Sequence, residues 1–156
     1  PQAKVFGVSV KDRGAITLAG HAGTAYWVSK AAGEMVTSTF YMDDYPDWVD
    51  TWNASGVPAS YAGKSWELLA KPEDYLFGDA DNQDWETDFP GYGRTFPHPW
   101  GEADSPYFTT LLTFSPAGDE IVLDFAKGLI VSENIGNDDV VDYLYISFSS
   151  TDYVGD

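Results

Sequence analysis

Residues 5–16 read VFGVSVKDRGAI, and this stretch decides the fold. Residues 4–10 are apolar and β-branched, and the turn-prone Asp12 and Gly14 bound them, which predicts a short buried strand. Directly beyond it stand Lys11 and Arg13. They are two of only eight basic residues in a chain that carries 25 acidic ones. In open α/β sheets, ligands bind beyond the carboxyl ends of the strands. A lysine point charge beside a forked guanidinium suits the spread oxygens of a phosphoryl or sulfuryl group. The plainer alternative, solvated surface charge after a strand, stays open from the residues alone.

Working outward, residues 15–19 open a short helix, and residues 33–42 (GEMVTSTFYM) mix β-branched and aromatic residues as a second strand. Pro46 stands near a helix start and Gly56 at its end, with Trp48, Val49 and Trp52 on one face. From residue 57 to 105 the texture changes to Pro, Gly, Asp and aromatics with no lasting period. A structureless loop of that length is unusual in a compact domain, so an insertion or lid is expected, packed through Trp66, Tyr75, Phe77, Trp85, Tyr92 and Trp100.

Regularity returns at Ser115, a candidate N-cap followed by Pro116 at the first helical position. Asp119 and Glu120 favour the helix start, Ile121, Leu123, Phe125, Leu129 and Ile130 supply buried surface, and Gly136 closes the helix. Residues 143–148 form a last strand, ending in a Ser-Ser-Thr-Asp turn that places Asp152 beyond it. This order predicts an α/β sheet with helices: residues 1–56 and 106–156 form the core, and 57–105 an irregular aromatic-rich insertion.

The length of 156 residues suffices for one domain with a real core, and 44% hydrophobic residues argue against disorder. The net charge of −17 repels phosphate backbones and anionic lipid, so neither nucleic acid nor a membrane surface is an expected partner. Such acidity suits a saline setting, where counterions screen self-repulsion. The chain has no cysteine, which excludes disulfides and thiolate metal sites, and no apolar run of bilayer-spanning length. Its start at Pro1, with no signal-peptide pattern, suggests a processed or excised segment.

Other candidates read more simply. His21 and His98 are isolated and expected to be structural. Residues 78–88 (GDADNQDWETD) suggest a calcium loop, but Asp84 stands where such a loop needs Gly, and Pro90 where it needs Glu. Six Trp and ten Tyr suit either sugar stacking or packing within the insertion; packing is the expectation.

The blocks VFGVSVKDRGAITLAGH, AYW, VTSTFYMDDYPDWVDTWN, RTFPHPW, SPYFTTLLTFSPAGDEIVLDFAKGLI and LYISFSSTDYVG, in this order, resemble the type I phosphodiesterase and alkaline phosphatase superfamily. The branch is that of the single-chain, threonine-nucleophile bacterial alkaline phosphatases. The resemblance covers nearly the whole chain but only an internal section of the longer family protein. It implies part of an alkaline-phosphatase-like sheet. It also implies that Lys11 and Arg13 contact phosphate oxygens and that Asp152 ligates one of two zinc ions. The family pattern Asp-x-x-Gly-His reads here Asp152-Tyr153-Val154-Gly155-Asp156, with aspartate in place of the expected histidine. A carboxylate at Asp156 binds zinc less softly and shifts preference toward harder cations such as calcium or magnesium. The family's nucleophilic threonine, its first metal-binding aspartate and its asparagine have no counterpart here, and its remaining ligands would follow Asp156.

The resemblance thus implies the middle section of a metal-dependent phosphate-monoester hydrolase. It would act on small phosphate esters together with the remaining segments of the parent enzyme, exported to the periplasm or secreted, and would be inactive as an isolated chain. Two alternatives stand beside it. One is a non-catalytic acidic domain that binds an anion or a partner through the insertion; the other is a phosphodiesterase- or sulfatase-like hydrolase on the same scaffold.

Overall fold

The computed structural model describes residues 2–153. Its frame is a four-stranded mixed sheet in the order β3-β2-β1-β6. Strand β1 spans Val5–Ser9, β2 Thr24–Val28, β3 Met35–Val36 and β6 Tyr143–Ser147. Both β2 and β6 run parallel to β1, with Ser9 opposite Trp27 on one side and opposite Ser147 on the other; β3 is antiparallel to β2.

Alternation along β1 sorts the two faces. Phe6, Val8 and Val10 join Tyr26 and Val28 in the main core, against helices α2 (Asp47–Ala54) and α4 (Pro116–Ser132). The opposite face receives α1 (Asp12–Ala19), whose Ala15 and Ala19 pack with Ala25 of β2. Gly7 permits that contact: a Cβ there would stand 2.4 Å from the Ala15 carbonyl oxygen and 2.8 Å from the Ala19 nitrogen. At the centre of the main core, the fully buried Phe125 ring meets Tyr26, Trp48 and Trp52 at centroid distances of 5.2, 5.1 and 5.2 Å. The two indoles also donate hydrogen bonds, Trp48 to Glu133 and Trp52 to Asp124, each at 2.8 Å.

The α/β frame expected from the sequence is present, with four local corrections. First, the strand expected over residues 33–42 shrinks to Met35–Val36. Thr37 Oγ1 donates to the Ala25 carbonyl at 2.6 Å, and the Ser38 hydroxyl and carbonyl capture the Phe40 and Tyr41 amides, turning the chain away from the ladder. The strand that fills the sheet is β2, to which the sequence reading assigned no element. Second, α4 ends at Ser132, before Gly136. Asn134 takes the left-handed conformation (φ 56°), while the Ile135 and Asn134 amides return to the Ile130 and Val131 carbonyls, a Schellman closure built on Asn.

Third, the helical period of α4 buries Ile121, Val122, Phe125 and Leu129 but leaves Leu123 and Ile130 exposed, because they lie off that stripe. Fourth, only part of the expected aromatic packing in residues 57–105 occurs. Trp66, Phe96, Tyr92 and His98 cluster, and Trp100 is buried with its indole donating to Ser115 Oγ. Phe77 and Trp85 instead face solvent, and Tyr75 is also exposed. Phe77 sits in a left-handed turn at φ 64°, and the Tyr75 hydroxyl accepts the Leu69 and Ala70 amides within its own loop. Regular structure in this region amounts to isolated 3₁₀ turns and the short pair β4 (Ser65–Trp66) and β5 (His98–Pro99). The short helix α3 (Phe108–Thr113) then leads into α4.

Candidate active site

Three parallel strands deliver their following residues to one rim of the sheet. Lys11 lies two residues past the end of β1, Lys30 two residues past β2, and Asp152 on the 3₁₀ turn Thr151–Tyr153 that follows β6. The ends of β1 and β6 are tied by Ser9 Oγ and Ser149 Oγ at 3.2 Å. The Lys11 amide donates to Ser9 Oγ at 3.1 Å, which fixes the exit from β1. Lys11 is then the extended N-cap of α1, so the amide-rich start of that helix abuts the same rim.

The rim holds a cleft of about 490 Å³, whose lining includes Lys11, Asp12, Arg13, Trp27, Lys30 and Tyr153. Three of the eight basic residues of a strongly acidic chain therefore line one cleft. Lys11 is only 6% exposed, a rare state for lysine without a charge partner. Its Nζ donates to Asp152 Oδ2 and stands 4.0 Å from the Tyr153 ring centroid. Arg13 is 74% exposed and reaches the same carboxylate oxygen at 3.9 Å. Lys30 Nζ lies 4.0 Å from the same Tyr153 ring and 5.3 Å from that of Phe114.

The electrostatics follow from this crowding. Partial burial, then repulsion by Lys11 and Arg13, lowers the Lys30 pKa below the ordinary lysine value. Burial, then the Asp12 carboxylate, raises that of the Tyr153 phenol. Behind the rim, Asp119 in the first turn of α4 accepts from both the amide (3.1 Å) and the hydroxyl (3.0 Å) of the buried Ser150. That clamp fixes the backbone two residues before Asp152.

Of the residues singled out by sequence, Lys11 and Arg13 line the cleft, and Asp152 contacts Lys11 and lies 3.9 Å from Arg13 without being part of the lining. Asp156 lies outside the described residues. Among the described residues, no group of three His, Cys, Asp or Glu side chains converges to hold a metal. His98 is held by packing, stacked on Tyr92 at 4.4 Å with Nδ1 3.2 Å from the Tyr92 carbonyl oxygen; His21 meets Phe40 edge-on. The sequence reading missed Lys30, Tyr153 and Asp119. Lys30 repeats the offset of Lys11 from its strand, a signal that becomes visible once β2 is assigned.

No family model matches the chain. It is 39% identical over 158 residues to a protein of Myroides odoratus described as a calcium-transporting ATPase. It is 38% identical over 156 residues to the alkaline phosphatase PhoV of Synechococcus elongatus, and 36% over 155 to the alkaline phosphatase PafA of Elizabethkingia meningoseptica. These alignments cover 97–99% of this chain but only 28–29% of each relative, so the chain spans less than a third of their length. The crystal structure of PafA superposes with a TM-score of 0.87 at 35% identity, over 99% of this chain and 30% of that one. A PafA variant carrying four substitutions superposes equally well.

Proposed function

The chain belongs to the type I phosphodiesterase and alkaline phosphatase superfamily, among the relatives of PafA and PhoV, and we propose that it forms the phosphate-holding section of a phosphate-monoester hydrolase. In this reading Lys11 and Arg13 bind the non-bridging oxygens of the phosphoryl group, and residues 57–105 form an insertion on an α/β core of 1–56 and 106–156. The observation that carries it is the near-complete burial of Lys11 at the carboxyl edge of the sheet, with Arg13 on the same cleft. Burying an ammonium group costs free energy unless an anion meets it; Asp152 meets it here, which keeps Lys11 charged at the edge of the cleft. The solved PafA variant supports the reading further: its replaced residues include a lysine and an arginine two positions apart, the spacing of Lys11 and Arg13.

Chemically, the pair orients the ester and counters charge on the oxygens as it redistributes during displacement at phosphorus. The backbone of Lys11 is fixed by its amide bond to Ser9, and its ammonium group exchanges or shares Asp152 to take the phosphoryl oxygens. Zinc, or a harder cation, is the metal the family implies. Asp152 supplies one carboxylate donor, and the described residues do not complete a site around it, so no step is derived through a metal. Periplasmic or secreted placement belongs to the same proposal and rests on the family resemblance.

The ATPase description of one relative is not accompanied by a P-loop in this chain. The only Gly-Lys-Ser run, Gly63 to Ser65, has Pro58 where a phosphate-binding loop needs glycine, and it enters the short strand β4 in place of a helix.

The test is p-nitrophenyl phosphate turnover, with added zinc, by this chain and by a polypeptide extended at both ends to the length of the relatives. The expected result is no turnover by the 156-residue chain, turnover by the extended form, and a loss of about 10²–10³ in kcat/KM for Lys11→Ala in it. Robust turnover by the short chain, none by the extended one, or an undiminished Lys11→Ala variant would overturn the proposal.

A further inference from the structure

The cleft carries more positive charge than a single phosphoryl clamp uses. Lys30 and Lys11 each stand 4.0 Å from the centroid of one ring, that of Tyr153, so their ammonium groups are separated by at most twice that distance. Asp152 engages Lys11 and approaches Arg13. Among the described residues, no carboxylate pairs with Lys30. The cationic edge is thus continued by a group that the Lys-x-Arg pair does not include. Tyr153, flanked by both ammonium groups and by Phe114 at 5.3 Å, is engaged as a cation platform and is not offered as a stacking surface for a base.

We propose that Lys30, seated on Tyr153, is a second anion subsite that selects phosphate monoesters whose leaving group bears another negative charge, a carboxylate or a second phosphoryl group. This rests on the assignment of Lys11 and Arg13 as the holder of the transferred phosphoryl group. Partial burial first, and then repulsion from Lys11 and Arg13, weakens the hold of Lys30 on its proton, and an additional anion beside it counters that repulsion. Lys30 acts here on affinity for one class of ester, whereas the clamp serves all of them.

The test uses a matched pair of ligands on the 156-residue chain, glycerol 3-phosphate and 3-phosphoglycerate, which differ chiefly by a carboxylate, with glycerol 2,3-bisphosphate, which adds a phosphoryl group and no carboxylate, as the phosphoryl arm. Calorimetric titration should show tighter binding of the two more highly charged ligands. Lys30→Gln should reduce that preference about tenfold, and Lys30→Arg should restore it. A preference that persists in Lys30→Gln, or one absent from the unsubstituted chain, overturns the subsite. The clamp is read separately: if Lys11→Gln combined with Arg13→Gln leaves glycerol 3-phosphate affinity unchanged, or if no ligand binds the unsubstituted chain, the clamp reading falls and this one with it. Loss of the preference for one charged ligand only, carboxylate or phosphoryl, supports the subsite and identifies the group it takes.

Discussion

Lys11 and Asp152 are 141 positions apart in the chain, yet the Lys11 ammonium group donates directly to the Asp152 carboxylate. Parallel pairing of β1 with β6 makes the contact possible, because it sends both following segments to the same edge. The carboxylate that neutralises the buried cation is also the one that an incoming phosphate must meet. Asp152→Asn should therefore strengthen phosphate binding by the metal-free chain several-fold, on the order of 1 kcal/mol for a partly exposed pair. Titration with inorganic phosphate measures this, and weaker binding by the variant would show that Asp152 supports the anion indirectly.

Asp119 is a positioning residue. Asp119→Ala removes two hydrogen bonds to buried Ser150 and should cost about 1–3 kcal/mol. Thermal unfolding reads the loss, and amide exchange should rise around Ser150 and Asp152. A purely structural role elsewhere in α4 would lower stability without changing exchange in that turn.

Phe125→Ala should be among the most damaging single changes. It removes the ring on which Tyr26, Trp48 and Trp52 converge, at a cost of about 3–5 kcal/mol. Urea unfolding followed by tryptophan fluorescence measures it, and a loss below 1 kcal/mol would mean that the cluster collapses onto the vacancy.

Alkaline pH should destabilise the fold. Burial raises the pKa of the Tyr26, Tyr61 and Tyr92 phenols above the ordinary 10.0, with Glu120 adding to the effect at Tyr61. A phenol that holds its proton more tightly when folded leaves the unfolded state binding fewer protons above pH 10, so stability falls as pH rises past that value. Denaturant midpoints across the alkaline range, read beside tyrosinate absorbance, provide the check. Tyr92→Phe should flatten part of the slope, since its hydroxyl is buried without a hydrogen-bond partner among the described residues.

Salt should act in opposite directions on stability and on binding. A net charge of −17 repels itself, and added sodium chloride screens that repulsion, so Tm should rise. Anion binding at the cationic cleft should weaken over the same range. Parallel melting and titration series test the pair of trends.

The frame was legible where a run was long or its punctuation strong. The strand at Val5–Ser9, the Pro46 entry to α2 and the Ser115–Pro116 entry to α4 all stand as the residues suggested. Ser115 is at the N-cap position, although its hydroxyl bonds Trp100 and the Leu112 carbonyl and not the helix. Thr24–Val28 is as short and as interior as Val5–Ser9, and its Thr, Tyr, Trp and Val favour a strand. Its absence from the expected order is a propensity signal passed over and not a silent stretch of sequence. The same omission hid Lys30. The Ser38 turn was hidden by its neighbours, since Val, Thr, Phe and Tyr have strand propensity whatever Ser and Thr side chains do to the backbone. Lys11, Arg13 and Asp152 could be picked out as strand-end residues, but their meeting depends on strand order. A sequence lists its strands without saying which neighbour each will choose.

The tie between Ser9 and Ser149, together with the parallel register beneath it, divides this molecule into a fixed chassis and interchangeable fittings. Each segment leaving the sheet hangs from its own strand. Adding or deleting a residue between Val28 and Lys30 would swing one fitting while Lys11 and Arg13 kept their station. On the proposed role of Lys30, such a change would alter ligand preference without the chassis being rebuilt.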